Sequence, residues 1–132
     1  FGRSAWRQLA PQALLSPELR WEGQCIEAPA ALVHKDRIYL FYGGSYNCTP
    51  QQIGCAVSDD GIFFRRLFSE PFLPCGTAGS WNSSESGHPY AFRDDNGRCF
   101  LFHQGSADMG KTWYLSRREI AFNGDGIPCL KD

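Results

Sequence analysis

Glu27 stands in the string Ile26-Glu-Ala-Pro29 and His88 in Ser86-Gly-His-Pro89, each an ionisable side chain within two residues of a proline. Carboxyl and imidazole groups are the side chains most used to hold and hand over protons near neutral pH. Taken alone, both strings also have plainer readings. Glu27 suits a solvated strand end or an ion pair with an Arg, and His88 suits a hydrogen bond to the turn after Gly87. Six cysteines lie at 25, 48, 55, 75, 99 and 129. No pair forms a CxxC and the spacings match no zinc ligand set, so a structural metal site has little support. Cys25, Cys55 and Cys99 fall in apolar, strand-like runs, and the expectation is buried free thiols acting as small hydrophobes, although an even count leaves three disulfides open.

These residues need a scaffold, and the composition narrows its class. The 132 residues are 42% hydrophobic and 20% charged, a globular profile rather than a disordered one. Thirteen basic and fourteen acidic residues leave a net charge of −1, without the basic excess that a phosphate backbone demands, so no nucleic-acid partner is expected. The longest aromatic-aliphatic run, Ile38–Tyr42, is far short of the roughly 20 residues that span a bilayer, so no membrane partner is expected either. Aromatics at 14%, with 14 Gly and 8 Pro, suit many short strands joined by tight turns. No signal-like stretch opens the chain, and the compartment reading leans to the cytoplasm over secretion. The first residue is Phe rather than Met, which suggests a processed or excised polypeptide.

The chain repeats itself. Trp21 matches Trp81 and Pro29 matches Pro89, both at an offset of 60. After one inserted residue, Arg37, Leu40, Phe41, Gly44 and Ser45 match Arg98, Leu101, Phe102, Gly105 and Ser106. Upstream, Trp6-Arg-Gln-Leu9 aligns with Phe64-Arg-Arg-Leu67, and Leu14-Leu15 with Phe72-Leu73. Each unit carries β signals: Pro29–Val33, Ile38–Tyr42, Ile53–Ser58 and Phe63–Phe68 in the first, then Pro89–Phe92, Cys99–His103, Trp113–Arg118 and Glu119–Phe122 in the second. Ser58-Asp-Asp-Gly61 is a strong turn. The only stretch with a hint of helical period, Ser4–Leu15, is interrupted by Pro11. Four antiparallel strands in about 60 residues describe one propeller blade. The expected fold is therefore all-β, with about two four-stranded blades. Residues 1–20 would supply the outer strand of a preceding blade and a connection, residues 21–68 one blade, and residues 69–132 a second.

Trp21-Glu-Gly, Ile26-Glu-Ala-Pro29 and Arg37-Ile-Tyr-Leu-Phe-Tyr-Gly-Gly44 together resemble the fourth blade of glycoside hydrolase family 43, one of the five-bladed β-propeller glycosidases. Ser86-Gly-His-Pro89, Asp95-Asn-Gly-Arg98 and Phe100-Leu-Phe-His103 resemble its fifth blade, and Trp113 to Pro128 the segment that follows. The resemblance implies that Glu27 is the general acid. The chemistry agrees, since protonating a glycosidic oxygen near neutral pH needs a carboxyl in a partly apolar site, and Ile26 and Ala28 flank Glu27. It implies that His88 lies near the bottom of the central pocket, where some relatives use this histidine to help hold a hydrated calcium ion at the axis. Trp21 and Trp81 would lie on loops leading to the pocket rim, either stacking on sugar rings or packing between blades. The implied ligand is a pentose- or furanose-containing glycan.

The same resemblance shows what is missing. Inverting hydrolysis needs two carboxylates roughly 6.5 to 9.5 Å apart. The family's general base and its acid-positioning Asp come from blades with no counterpart here. Asp36, Asp59, Asp60, Asp94 and Asp95 fall in turns, and Glu22 and Glu85 match no catalytic position. Five blades need about 300 residues. The expectation is a partial propeller that does not hydrolyse glycosides alone and whose open blade faces associate, with copies of the chain or with missing blades.

Overall fold

The computed structural model describes residues 8–131. A single 3₁₀ turn, Arg20–Glu22, leads into two antiparallel sheets of four strands each. The first contains β1 (Ile26–His34), β2 (Arg37–Gly44), β3 (Gln52–Ser58) and β4 (Arg65–Arg66), in that spatial order. The second contains β5 (Glu85–Arg93), β6 (Cys99–Ser106), β7 (Tyr114–Phe122) and β8 (Pro128–Lys131), again in order. Each sheet is a meander, as expected of a blade. No helix among the described residues is long and apolar enough to cross a membrane.

Period-2 alternation builds the seam between the sheets. Ala30 and Leu32 of β1, Tyr39 and Phe41 of β2, and Ile53, Cys55 and Val57 of β3 all point one way and are buried. They meet Cys99 and Leu101 of β6 and Ile120 of β7, with Ala91, Phe122 and Leu130 packed at the margin. Polar ties cross the same seam: the Tyr39 hydroxyl donates to the Gly126 carbonyl at 2.6 Å. The His34 ring stacks on Phe122 with centroids 3.9 Å apart and planes 6° from parallel.

Both sheets end their third long strand or the strand before it with the same polar turn. Ser58 Oγ and Asp60 Oδ1 collect the backbone N–H groups of Gly61, Ile62 and Phe63. Ser106 Oγ and Asp108 Oδ1 do the same for Gly110, Lys111 and Thr112. The turn at Ser58–Gly61 is therefore structural, and the second copy escaped notice because its spacing differs from the main repeat.

Several strand bounds differ from the sequence reading. Trp113–Arg118 and Glu119–Phe122 are not two strands but one, β7, because nothing between Arg118 and Glu119 can turn the chain. The real turn is Asn123–Gly126, where Asn123 Oδ1 accepts the N–H groups of Asp125 and Ile127 and Gly126 takes φ 77. The outermost strand is then β8, in the segment read as following the blade. Phe63–Phe68 contracts to the two residues of β4. No strand occurs over residues 8–19, where the outer strand of a preceding blade was expected, and Trp6 lies outside the described residues. All six cysteines are free. Cys55 and Cys99 are buried as expected, whereas Cys25 is only half-buried.

Candidate active site

The innermost strand of each blade is broken at the same repeat position. Pairing of β1 with β2 slips between Glu27 and Ala30, and pairing of β5 with β6 slips between Gly87 and Tyr90. Pro29 and Pro89 have no N–H to offer the ladder. The residue before each takes a left-handed conformation, with φ 49 at Ala28 and φ 48 at His88. A pre-proline residue is ordinarily extended, so both bulges hold backbone strain of the kind concentrated at functional sites. A bulge re-aims the neighbouring side chains. Here the result is that Glu27 of one blade and His88 of the next face each other, with Nε2 and Oε1 3.8 Å apart and side chains 39% and 41% exposed.

Two glutamines hold the pair. Gln51, fully buried, donates from Nε2 to Glu27 Oε1 at 2.5 Å and to the Ser45 carbonyl at 3.1 Å. Its Oε1 accepts the His88 backbone N–H at 3.1 Å. On the far side, Gln104 Nε2 donates to Glu85 Oε1 at 3.0 Å and lies 2.7 Å from His88 Nδ1. A carboxylate only accepts, which orients the Gln104 amide with its NH₂ toward both partners. His88 Nδ1 is then the acceptor, and the ring proton sits on Nε2, toward Glu27. Glu85 is itself buried and takes the Cys48 N–H at 2.5 Å. Sequence reasoning found Glu27 and His88 but not Gln51, Gln104 or a role for Glu85. Gln51 has no counterpart in the repeat, and its partners are separated from it by up to 37 residues.

The other candidates lie elsewhere. The Trp21 ring covers Gly44 and Gly54 and stacks on Tyr42 with centroids 6.0 Å apart, while its Nε1 donates to the Ser69 carbonyl. Trp81 covers Gly105, the repeat partner of Gly44, and lies 5.6 Å from His103. A Cβ on either glycine would collide with the indole, so these positions need Gly for close approach. Both tryptophans thus pack within their own blade, and each lines a hollow separate from Glu27 and His88. Glu22 is buried completely. Burial pushes its carboxyl up, but Arg66 at 2.7 Å, the N–H groups of Glu18 and Leu19 and the Tyr42 hydroxyl outweigh that and leave it below the ordinary range.

The resemblance implies a hydrated calcium ion that His88 would meet through water. Calcium takes roughly six to eight oxygen ligands. Among the described residues no three His, Cys, Asp or Glu side chains group to hold a metal, and His88 Nδ1 is already engaged by Gln104. Beyond His88 the surface opens into an apolar hollow of about 550 Å³, lined by Tyr90, Phe92, Phe102 and Leu115.

No protein-family profile matches the chain. No curated protein matches it either. Solved structures do. A thermostable family-43 glycoside hydrolase superposes with a TM-score of 0.77 at 23% identity, over 95% of this chain and 43% of that one. An endo-1,4-beta-xylanase from Bacteroides thetaiotaomicron gives 0.75 at 20%, over 89% and 42%. An exo-1,5-alpha-L-arabinanase from a bovine ruminal metagenomic library gives 0.67 at 19%, over 89% and 42%. The chain spans about two-fifths of the length of these structures. It has the blade fold of the β-propeller glycosidases and resembles the family 43 glycoside hydrolases among them.

Proposed function

We propose that these two blades form the general-acid side of a glycosidase pocket acting on pentose- or furanose-containing glycans. The observation that carries the reading is the Glu27–His88 pair at two strained bulges in equivalent repeat positions. In this reading Glu27 gives its proton to the departing glycosidic oxygen as the bond to the sugar breaks. Water, activated by a carboxylate on the opposite side, attacks the anomeric carbon. His88, with its proton on Nε2, steadies Glu27 or a substrate hydroxyl. Gln104 and Glu85 set that tautomer. The general base, which stands roughly 6.5 to 9.5 Å from the acid in an inverting enzyme, belongs in this reading to another blade, as the family resemblance implies. The chain alone is not competent for hydrolysis.

The test is turnover of aryl xylosides and arabinofuranosides by the closed propeller containing this chain. Glu27→Gln removes the transferable proton at nearly constant shape and is expected to abolish turnover. Retained activity overturns the assignment.

A second reading is favoured by one observation. Tyr90, Phe92, Phe102 and Leu115 form a bare apolar face at the open side of the second blade. This face supports a module that associates through its blades, with another blade or another copy covering it. Sugar binding without catalysis is tested by titrating xylo- and arabino-oligosaccharides against Trp fluorescence, and a flat response removes it.

A further inference from the structure

We infer that Gln51 is the positioning residue of this site, which rests on the role proposed for Glu27. Every polar atom of its side chain is committed. One N–H reaches Glu27 Oε1, the Ser45 carbonyl takes the other, and Oε1 accepts the His88 backbone N–H. Its backbone carbonyl accepts the Ser86 N–H at 3.0 Å, a further tie to β5. One residue therefore grips both strained bulges, although they belong to different blades.

The slot that holds it is built for an amide of this size. Gly87 and Gly43 flank the side chain, and a Cβ on Gly87 would fall on Gln51 Oε1 itself. The amide is also chemically asymmetric in the way the site needs. It must donate toward Glu27 and the Ser45 carbonyl and accept from the His88 backbone. Glutamate has the same shape but presents only acceptors, so it would oppose Glu27 while still serving the His88 N–H. Met fills the same length and serves none of them. Because Glu27 is more than a third exposed, packing leaves its carboxylate free to swing, and the Gln51 N–H is the only hydrogen bond directing it toward His88 among the described residues.

The test has two parts. In the 132-residue chain, amide exchange followed by NMR reads the grip directly. Gln51→Met is expected to speed exchange of the His88 N–H at least about tenfold while the Phe41 N–H changes less than about twofold. In the closed propeller, Gln51→Glu is expected to lower kcat about 100-fold, the scale of a misplaced catalytic group, with KM within about threefold and Tm nearly unchanged. Unchanged His88 exchange in Gln51→Met overturns the inference. So does wild-type kcat in Gln51→Glu when Glu27→Gln is inactive. An active Glu27→Gln variant instead brings down the catalytic reading and the positioning role together, so the two failures are told apart by which variant turns over. If Gln51→Glu does not fold, the kcat and KM of Gln51→Met are read in its place.

Discussion

The same face of the two blades meets opposite fates. Ala30, Leu32 and Phe41 of the first blade are 7%, 6% and 0% exposed, whereas their repeat partners Tyr90, Phe92 and Phe102 are 62%, 44% and 37% exposed. The difference is not in the pattern, since both blades alternate apolar residues toward that side. It lies in what packs against each face. The first blade has the second to lie against it, with Leu101, Cys99 and Ile120 filling the seam. No described residue covers the second, where Tyr90 and Phe92 are larger than their counterparts Ala30 and Leu32. The opposite side of the first blade is treated differently again. There Trp21 caps Tyr42, and the buried Glu22–Arg66 pair closes the sheet. At the equivalent of Tyr42 the second blade has His103, which Trp81 covers without an ion pair.

The largest expected effect breaks the comparison at its centre. Phe41→Ala should cost about 3–5 kcal/mol in urea denaturation, as truncation of a closely packed aromatic does. Phe102→Ala, at the same repeat position, should cost less than about 1 kcal/mol. Equal losses would mean that the second face is covered in solution. Next in size is the buried Glu22–Arg66 ion pair of the first blade. Arg66→Met leaves Glu22 as a buried charge without its cation and should cost about 3 kcal/mol, again read by denaturation.

Acid should loosen the molecule in two steps. Burial, with the charges of Arg93 and Lys35, pushes His34 below its ordinary 6.5. Its Nε2 is buried without a partner. Burial, joined by the charge of Arg118 and opposed by the Gln104 carbonyl, pushes His103 down as well. For both, the unfolded chain binds a proton more readily than the folded one, so stability is full above pH 6.5 and declines as pH falls through the lowered values. Glu22, also held down, contributes stability that is full above 4.5 and is lost below it. Melting temperature against pH should therefore show a first decline below 6.5 and a second below 4.5, and Glu22→Gln should shrink the second, which Glu119, Asp60 and Asp108 share, without touching the first. A profile flat from pH 7 to 5 would contradict the burial of His34 at the seam and of His103 under Trp81.

The smallest effect on stability is expected from Leu115→Lys, within about 0.5 kcal/mol, since Leu115 is 87% exposed. Its readout is light scattering. A charge in the middle of the bare face should shift the chain toward monomer, and an unchanged mass would show that the face drives no association.

Much of the fold was legible because a repeat reports a supersecondary unit directly. Tryptophan and proline recur at an offset of 60 and glycine at 61 because each blade needs an indole lying on a Cβ-free strand position and a bulge that breaks its inner ladder. The strand ends were less legible. Tyr114–Phe122 was divided because its residues alternate weakly between exposed and half-buried, and β8 was missed because four residues carry little periodicity. Of the site, Glu27 and His88 could be named from motif order. Gln51 could not, because its role depends on partners supplied by another blade.

The sequence by itself determined the blade: its repeat, its strand order, the Ser58–Gly61 turn and the two prolines that interrupt the inner strands. Those are local matters, decided by period, turn chemistry and the lack of an N–H on proline. Tertiary structure alone decided which carboxylates are buried and neutralised, which apolar face is covered, and which imidazole nitrogen faces Glu27. Each of these is set by groups far apart in the chain brought within hydrogen-bonding or packing distance, where burial and partner geometry outweigh anything a residue's immediate neighbours specify.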